Sequence, residues 1–203
     1  MVHSGFYGTY SKIRDLVRTR MDALIAKHST APILITGHSL GGALAVLAAV
    51  DIKPRHPSAI IRLYTFGQPR VGDTKFANYV MNLFPESYIR VTHSDDTVVH
   101  SPALIAGFKH GGNEVWYEAT SHNGIYKECP NFAYIKENAD CSNSLWLKTG
   151  ISAHLKYLGY SVSGQCIRNQ PSGTLAISGP TVQLMLAGPE NIKHHHKHHH
   201  DSE

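Results

Sequence analysis

The residues best suited to chemistry stand in one run, Gly37-His38-Ser39-Leu40-Gly41. A serine with glycine two positions away on either side suits a sharp strand-to-helix turn. Such a turn holds the serine in a strained backbone conformation and brings main chain too close for side chains at the glycines. Raised there at a helix N-terminus, a hydroxyl can attack a carbonyl carbon, and the Leu40 backbone N–H is placed to stabilise the oxyanion that forms. Chance supplies the pentapeptide about 0.07 times per chain of this length, so a strand before it and a helix after it must carry the assignment.

A serine hydroxyl is inert without a base, and the base needs an acid to orient it; on sheets of this kind they follow in the order serine, acid, histidine. Asp95 and Asp96 lie just past an apolar run ending at Thr92, and one of the two is the expected acid. Three histidines downstream are candidates for the base. His100 is too near on the same loop, His110 leads into Gly111-Gly112, and His154 stands at a late loop-to-helix junction from which it can close onto Ser39.

The elements needed to position these groups are legible. Ile13, Leu16, Val17, Met21, Leu24 and Ile25 recur at helical spacing and predict one amphipathic helix from Tyr10 to His28, packed on a core. Ile33 to Thr36 is short, β-branched and closed by Gly37, a buried strand; Ala43 to Val50 is an apolar, alanine-rich helix. A second strand is expected over Ile60 to Phe66 and a helix from Asp73, a good N-cap, to Phe84 before Pro85, with Phe76, Val80 and Phe84 inward. Tyr88 to Thr92 and Glu114 to Glu118 read as further strands, and Ser152 to Tyr160 as a short helix. Strands alternating with helices predict a parallel α/β sheet.

The chain has 203 residues, 42% hydrophobic and 17% charged, the balance of one globular domain. A formal charge of +4 without a basic, aromatic-interleaved run argues against nucleic acid, and no apolar run reaches the length of a membrane-spanning helix. Met1 runs directly into Val2-His3-Ser4-Gly5-Phe6, which does not read as a secretory leader, so the expectation is either a protein that stays inside the cell or a chain whose natural start is missing. Cys129, Cys141 and Cys166 lack metal-site spacing and fit one disulfide with a cysteine left over. Beyond Gln170, glycine and proline cluster before His194-His195-His196-Lys197-His198-His199-His200. This is a solvated tail in preference to a metal site, so residues 1–170 are the expected domain and 171–203 the tail.

Several blocks together resemble the fungal-type class 3 lipase family: Val2-His3-Ser4-Gly5-Phe6, Ile33 to Ala43, Tyr64 to Gly72, Val91-Thr92-His93, Phe108-Lys109-His110, Glu114 to Tyr117, Cys141 to Ser144 and His154 to Gly159. They occur in family order over nearly all of residues 2–166. The resemblance implies an α/β-hydrolase with a mostly parallel central sheet and helices on both faces. It also implies hydrolysis of lipid esters at a lipid–water interface with no cofactor or metal, and an extracellular home. It places the acid at Asp96, with Asp95 the alternative, the base at His154, and a disulfide between Cys129 and Cys141. His3, His38, His93, His100 and His110 fall on positions that look structural. The family's first strands, lid helix and upstream oxyanion donor would precede Val2, so the reading expects an N-terminally incomplete chain with Leu40 as its one oxyanion donor. Ala153 replaces an aspartate often found before the base. A catalytically silent relative that binds lipid or a partner, and phospholipase or aryl-esterase selectivity, are the alternatives. Acyl chain, head group, oligomeric state and the pairing of Cys166 stay open.

Overall fold

The computed structural model describes residues 1–118, 125–130, 137–145 and 149–162. These lie in one compact unit, 1–162. The expected boundary near 170, Cys166 and the histidine-rich tail are outside the described residues.

A five-stranded sheet has the order β1-β2-β4-β6-β7, where β1 is Ile33–His38, β2 Ile61–Phe66, β4 Tyr88–His93, β6 Asn113–Tyr117 and β7 Lys127–Cys129. The first four strands are parallel and β7 is antiparallel to β6. Two short strands, β3 (Gly72–Asp73) and β5 (Phe108–Lys109), pair separately. Helix α3 (Leu40–Arg55) leaves the end of β1 and covers the sheet; α1 (Ser4–Ser11), α2 (Arg14–Lys27) and α4 (Thr74–Leu83) each pack against it.

Register explains the core. Ile33 and Ile35 lie beside Ile61 and Leu63, and Leu63 beside Tyr88. These side chains meet Ala43, Val46, Leu47, Ala49 and Ile52 of α3, whose small residues let helix and sheet approach closely. Farther along the same face the pairs become Thr65 with Arg90, Arg90 with Glu114, and Thr92 with Trp116. Buried there, Glu114 accepts from Thr92 Oγ1 at 2.7 Å and from Ser142 Oγ, and Arg90 donates Nε–H to Gly111 O at 2.8 Å. These bonds satisfy polar groups that would otherwise be costly inside.

Two of the expected helices need correction. The helix expected over Tyr10 to His28 is two helices, broken at Lys12 and Ile13. Two glycines obscure α1 in the sequence, but Tyr10 anchors it: buried, it donates to Asp51 Oδ2 at 2.9 Å. Of the apolar stripe on α2, Val17, Met21 and Ile25 pack on the core while Ile13, Leu16 and Leu24 are exposed, and no α2 residue is fully buried. The helix expected over Ser152 to Tyr160 stops early: α5 is Ile151–His154, and a hairpin of β8 (Lys156–Tyr157) and β9 (Tyr160–Ser161) follows. Leu158 and Gly159 take φ of 50° and 83°, the two positive values of a type I′ hairpin turn, which ends the helix. In β6 burial alternates, with Glu114 and Trp116 buried and Val115 and Tyr117 half-buried.

The strand expected to be buried at Ile33 to Thr36 forms as β1, but it stands at the end of the sheet order, with Leu34 exposed and no residue fully buried. Asp73 caps α4, its Oδ1 accepting from Phe76 N–H at 2.9 Å, an interaction of about 1 kcal/mol. Cys129 and Cys141 form a disulfide with Cα atoms 6.1 Å apart, packed with Trp116 and Leu145.

Candidate active site

Three adjacent parallel strands deliver the site at their carboxyl ends: β1 runs into Ser39, β2 into Gly67 and β4 into the turn carrying Asp96. Ser39 has φ 55° and ψ −127°, a strained combination for a residue with a side chain. It is fixed by its N–H on Phe66 O at 2.9 Å and by Gly42 N–H on its own carbonyl at 2.9 Å. A Cβ on Gly37 would lie 2.3 Å from Gly41 O, so only glycine fits there. One on Gly42 would lie 3.1 Å from both Gly37 O and Gln68 Cβ. Gly41 differs from expectation: a Cβ there meets nothing within 4 Å. The close approach rests on Gly37 and Gly42. Leu40 begins α3, where its N–H has no acceptor within the helix and is available to an oxyanion.

Ser39, Asp96 and His154 are brought together. Ser39 Oγ stands 2.8 Å from His154 Nε2, and His154 Nδ1 stands 2.8 Å from Asp96 Oδ2. A carboxylate only accepts, so Nδ1 carries the proton and Nε2 is free to take that of the serine. Asp96 is fully buried and also accepts from Tyr157 Oη at 2.6 Å and from Val98 N–H at 2.8 Å. Burial, then the charge of Asp96 and the bond to it, push the Tyr157 phenol well above its ordinary range, so it remains a donor.

Asp95 faces elsewhere. Its carbonyl accepts from Gly150 N–H at 3.1 Å, and a Cβ on Gly150 would lie 2.1 Å from Asp95 Oδ1, so the two residues pack at the start of α5. His110 is engaged in the loop after the acid: its Nε2–H donates to Val99 O at 2.6 Å and its backbone N–H to Glu137 Oε1 at 2.8 Å. Burial, with Arg90 nearby, holds its pKa well below the ordinary histidine value. The carbonyls of His100 and Pro102 accept from Arg70 Nη1. Arg70, itself buried, grips Glu137 through Nε at 2.7 Å and Nη2 at 2.8 Å.

Two further residues at the site were not among those expected from the sequence. Gly67 has φ 56°, and a Cβ there would lie 3.0 Å from His154 Nδ1 and 3.1 Å from Asp96 Oδ2. Tyr157 is the other. The available signals were a glycine closing a β-branched strand and a tyrosine three residues after the base. Among the described residues no group of three or more His, Cys, Asp and Glu side chains is placed to hold a metal ion.

A parallel sheet with a strained serine between strand and helix, and an acid and a histidine reaching it from later strand ends, defines an α/β-hydrolase. The family model described as lipase (class 3) matches residues 1–105. The lipase of Rhizomucor miehei is 39% identical over 170 residues, 81% of this chain and 45% of that protein. Secreted mono- and diacylglycerol lipase 1 of Fusarium solani is 33% identical over 161 residues, 77% of this chain and 46% of that protein. The solved structure of lipase II from Rhizopus niveus superposes with a TM-score of 0.72 at 35% identity, covering 79% of this chain and 59% of that one. The chain belongs to the class 3 lipase family. It spans less than half the length of the two curated relatives.

Proposed function

We propose that this protein hydrolyses carboxylic esters of lipids through an acyl-enzyme on Ser39. The observation that carries the reading is the unbroken chain from Ser39 Oγ through His154 to buried Asp96, each contact 2.8 Å. Ser39 Oγ attacks the ester carbonyl as His154 Nε2 takes its proton, and the Leu40 N–H donates to the oxyanion. Collapse of the tetrahedral intermediate breaks the bond to the leaving alcohol, which receives that proton from His154. Water, deprotonated by the same nitrogen, then attacks the acyl carbonyl; collapse breaks the bond to Ser39 Oγ, which takes the proton back from His154 as the acid leaves. Asp96 fixes the tautomer and stabilises the imidazolium.

Lipid as the substrate class is supported by the relatives' names and by exposed apolar side chains in sequence beside the reacting groups, Leu40 next to Ser39 and Ile151 and Leu155 flanking His154. The disulfide and a secreted relative favour an extracellular setting. Residues 1–170 are proposed as the catalytic domain. The test is labelling with a fluorophosphonate probe, paired with hydrolysis of emulsified long-chain glycerides and of a soluble short-chain ester. Stoichiometric labelling of Ser39 with preference for the emulsion is expected. No labelling overturns the mechanism, and a preference for the soluble ester overturns the substrate class.

A further inference from the structure

Helix α5 has four residues, far too few to persist on its own, yet it carries the base. Of its last carbonyls, that of Ala153 accepts from the Leu155 N–H at the cap, while that of His154 lies beyond the reach of intrahelical donors. Two histidines from two different strands add side-chain donors to both. His38, the last residue of β1, has Nε2 2.9 Å from His154 O; His93, the last residue of β4, has Nδ1 3.1 Å from Ala153 O. A carbonyl only accepts, so His38 carries its proton on Nε2 and His93 on Nδ1. Consecutive carbonyls of the base's own backbone are thus held by opposite nitrogens of two rings.

The rings also pack where they bond. His38 lies against His154 with centroids 4.6 Å apart, and both His38 and His93 present edges to Tyr157, at 5.4 and 5.8 Å. Tyr157 in turn donates to Asp96. Burial lowers the pKa of His38, which keeps the ring neutral beside an imidazole that must itself become charged during turnover.

We infer that His38 and His93 are positioning residues for the base: by hydrogen-bonding the carbonyls of His154 and Ala153, they set where the His154 imidazole stands relative to Ser39 and Asp96. This rests on the proposed role of Ser39 and His154. It assigns a task to two histidines that could otherwise be dismissed as satisfied core residues. The strand ends that carry Ser39 and lead to Asp96 thereby also hold the third member, so the spacing of all three is tied to the sheet.

The test exploits the opposite nitrogens. A glutamine amide can stand in for Nε2–H and an asparagine amide for Nδ1–H. At 38, Gln should therefore rescue function and Asn should not; at 93, Asn should rescue and Gln should not. On the full chain we would measure the fluorophosphonate labelling rate of Ser39, the melting temperature, and the low-field proton resonance of His154 Nδ1–H. His38→Leu and His93→Leu should slow labelling by about 10- to 100-fold, the cost of a misplaced reacting group, and shift or broaden the resonance. His38→Gln and His93→Asn should restore most of both. If the Leu variants fail to fold, the Gln-against-Asn contrast at each position decides. Labelling rates and resonances indifferent to which amide is present overturn the inference. An unsubstituted protein that does not label overturns the role of Ser39 instead, and the proton resonance, which needs no reactive serine, then shows whether the two rings hold the imidazole.

Discussion

Ser39 and His154 are in hydrogen-bond contact, but the chain holds them by unlike means. The serine's position is built from its neighbours: strand β1, a glycine that admits no side chain, a strained φ, and a sixteen-residue helix that starts at once. The histidine sits on four helical residues followed by a hairpin, and its bonds reach Asp96, His38 and Ser39, 58, 116 and 115 positions away. One side of the site is local and stiff. The other is an assembly of long-range contacts, each worth little alone and lost together if the sheet edge moves. Single substitutions should therefore act differently on the two sides: steric and all-or-none at the elbow, graded around the base.

The largest effect expected is that of Ser39→Ala, which removes the nucleophile and should cost at least about 10⁴-fold in ester hydrolysis with the melting temperature preserved. Retention of more than about a hundredth of the rate would show that the serine is not the nucleophile. Next is Gly37→Ala. Its methyl group would overlap Gly41 O, and overpacking against backbone should destabilise the fold by about 3 kcal/mol and abolish labelling of Ser39. Urea denaturation would reveal it.

On the assembled side, Tyr157→Phe removes one of the donors to Asp96 while leaving that of His154. A loss of about 1–2 kcal/mol in stability and roughly tenfold in turnover is expected, with no change in KM. A KM effect alone would mean that Tyr157 contacts substrate.

The acid side also predicts a dependence on pH. His110 is held neutral in the fold, so its contribution to stability is complete above the ordinary histidine value of about 6.5 and is lost as pH falls. Glu137, gripped by Arg70 strongly enough to outweigh its burial, is depressed below the usual carboxylate range. Its contribution is complete above about 4.3 and is lost at still lower pH. Melting temperatures should therefore fall in two stages on acidification. His110→Asn should flatten the first stage and Glu137→Gln the second, and an unchanged profile in both variants would remove these groups from the account.

The smallest effect expected is Gly41→Ala. With open space at its Cβ and a helical backbone, the substitution should be neutral or stabilise by up to about 1 kcal/mol. Destabilisation as large as that from Gly37→Ala would erase the distinction drawn between the motif's two glycines.

The sequence by itself determined what is short-range. The strand, turn and helix around Ser39 follow from a β-branched run, a glycine and an alanine-rich stretch, and the Asp73 cap from one side chain at a helix start. The order of serine, acid and histidine narrowed the acid to Asp95 or Asp96, and family resemblance favoured Asp96. Tertiary structure decided which carboxylate faces the base, because neighbouring residues at a strand end point to opposite sides and composition does not say which. It also decided that Gly67 is the backbone beneath the imidazole, that α2 buries only part of its apolar stripe, and that the residues after His154 turn into a hairpin. Each of these depends on what another part of the chain, tens of residues away, brings to the same place. Helical periodicity records the face a segment offers; only the folded sheet determines how much of that face is covered and which donors meet the carbonyls at its end.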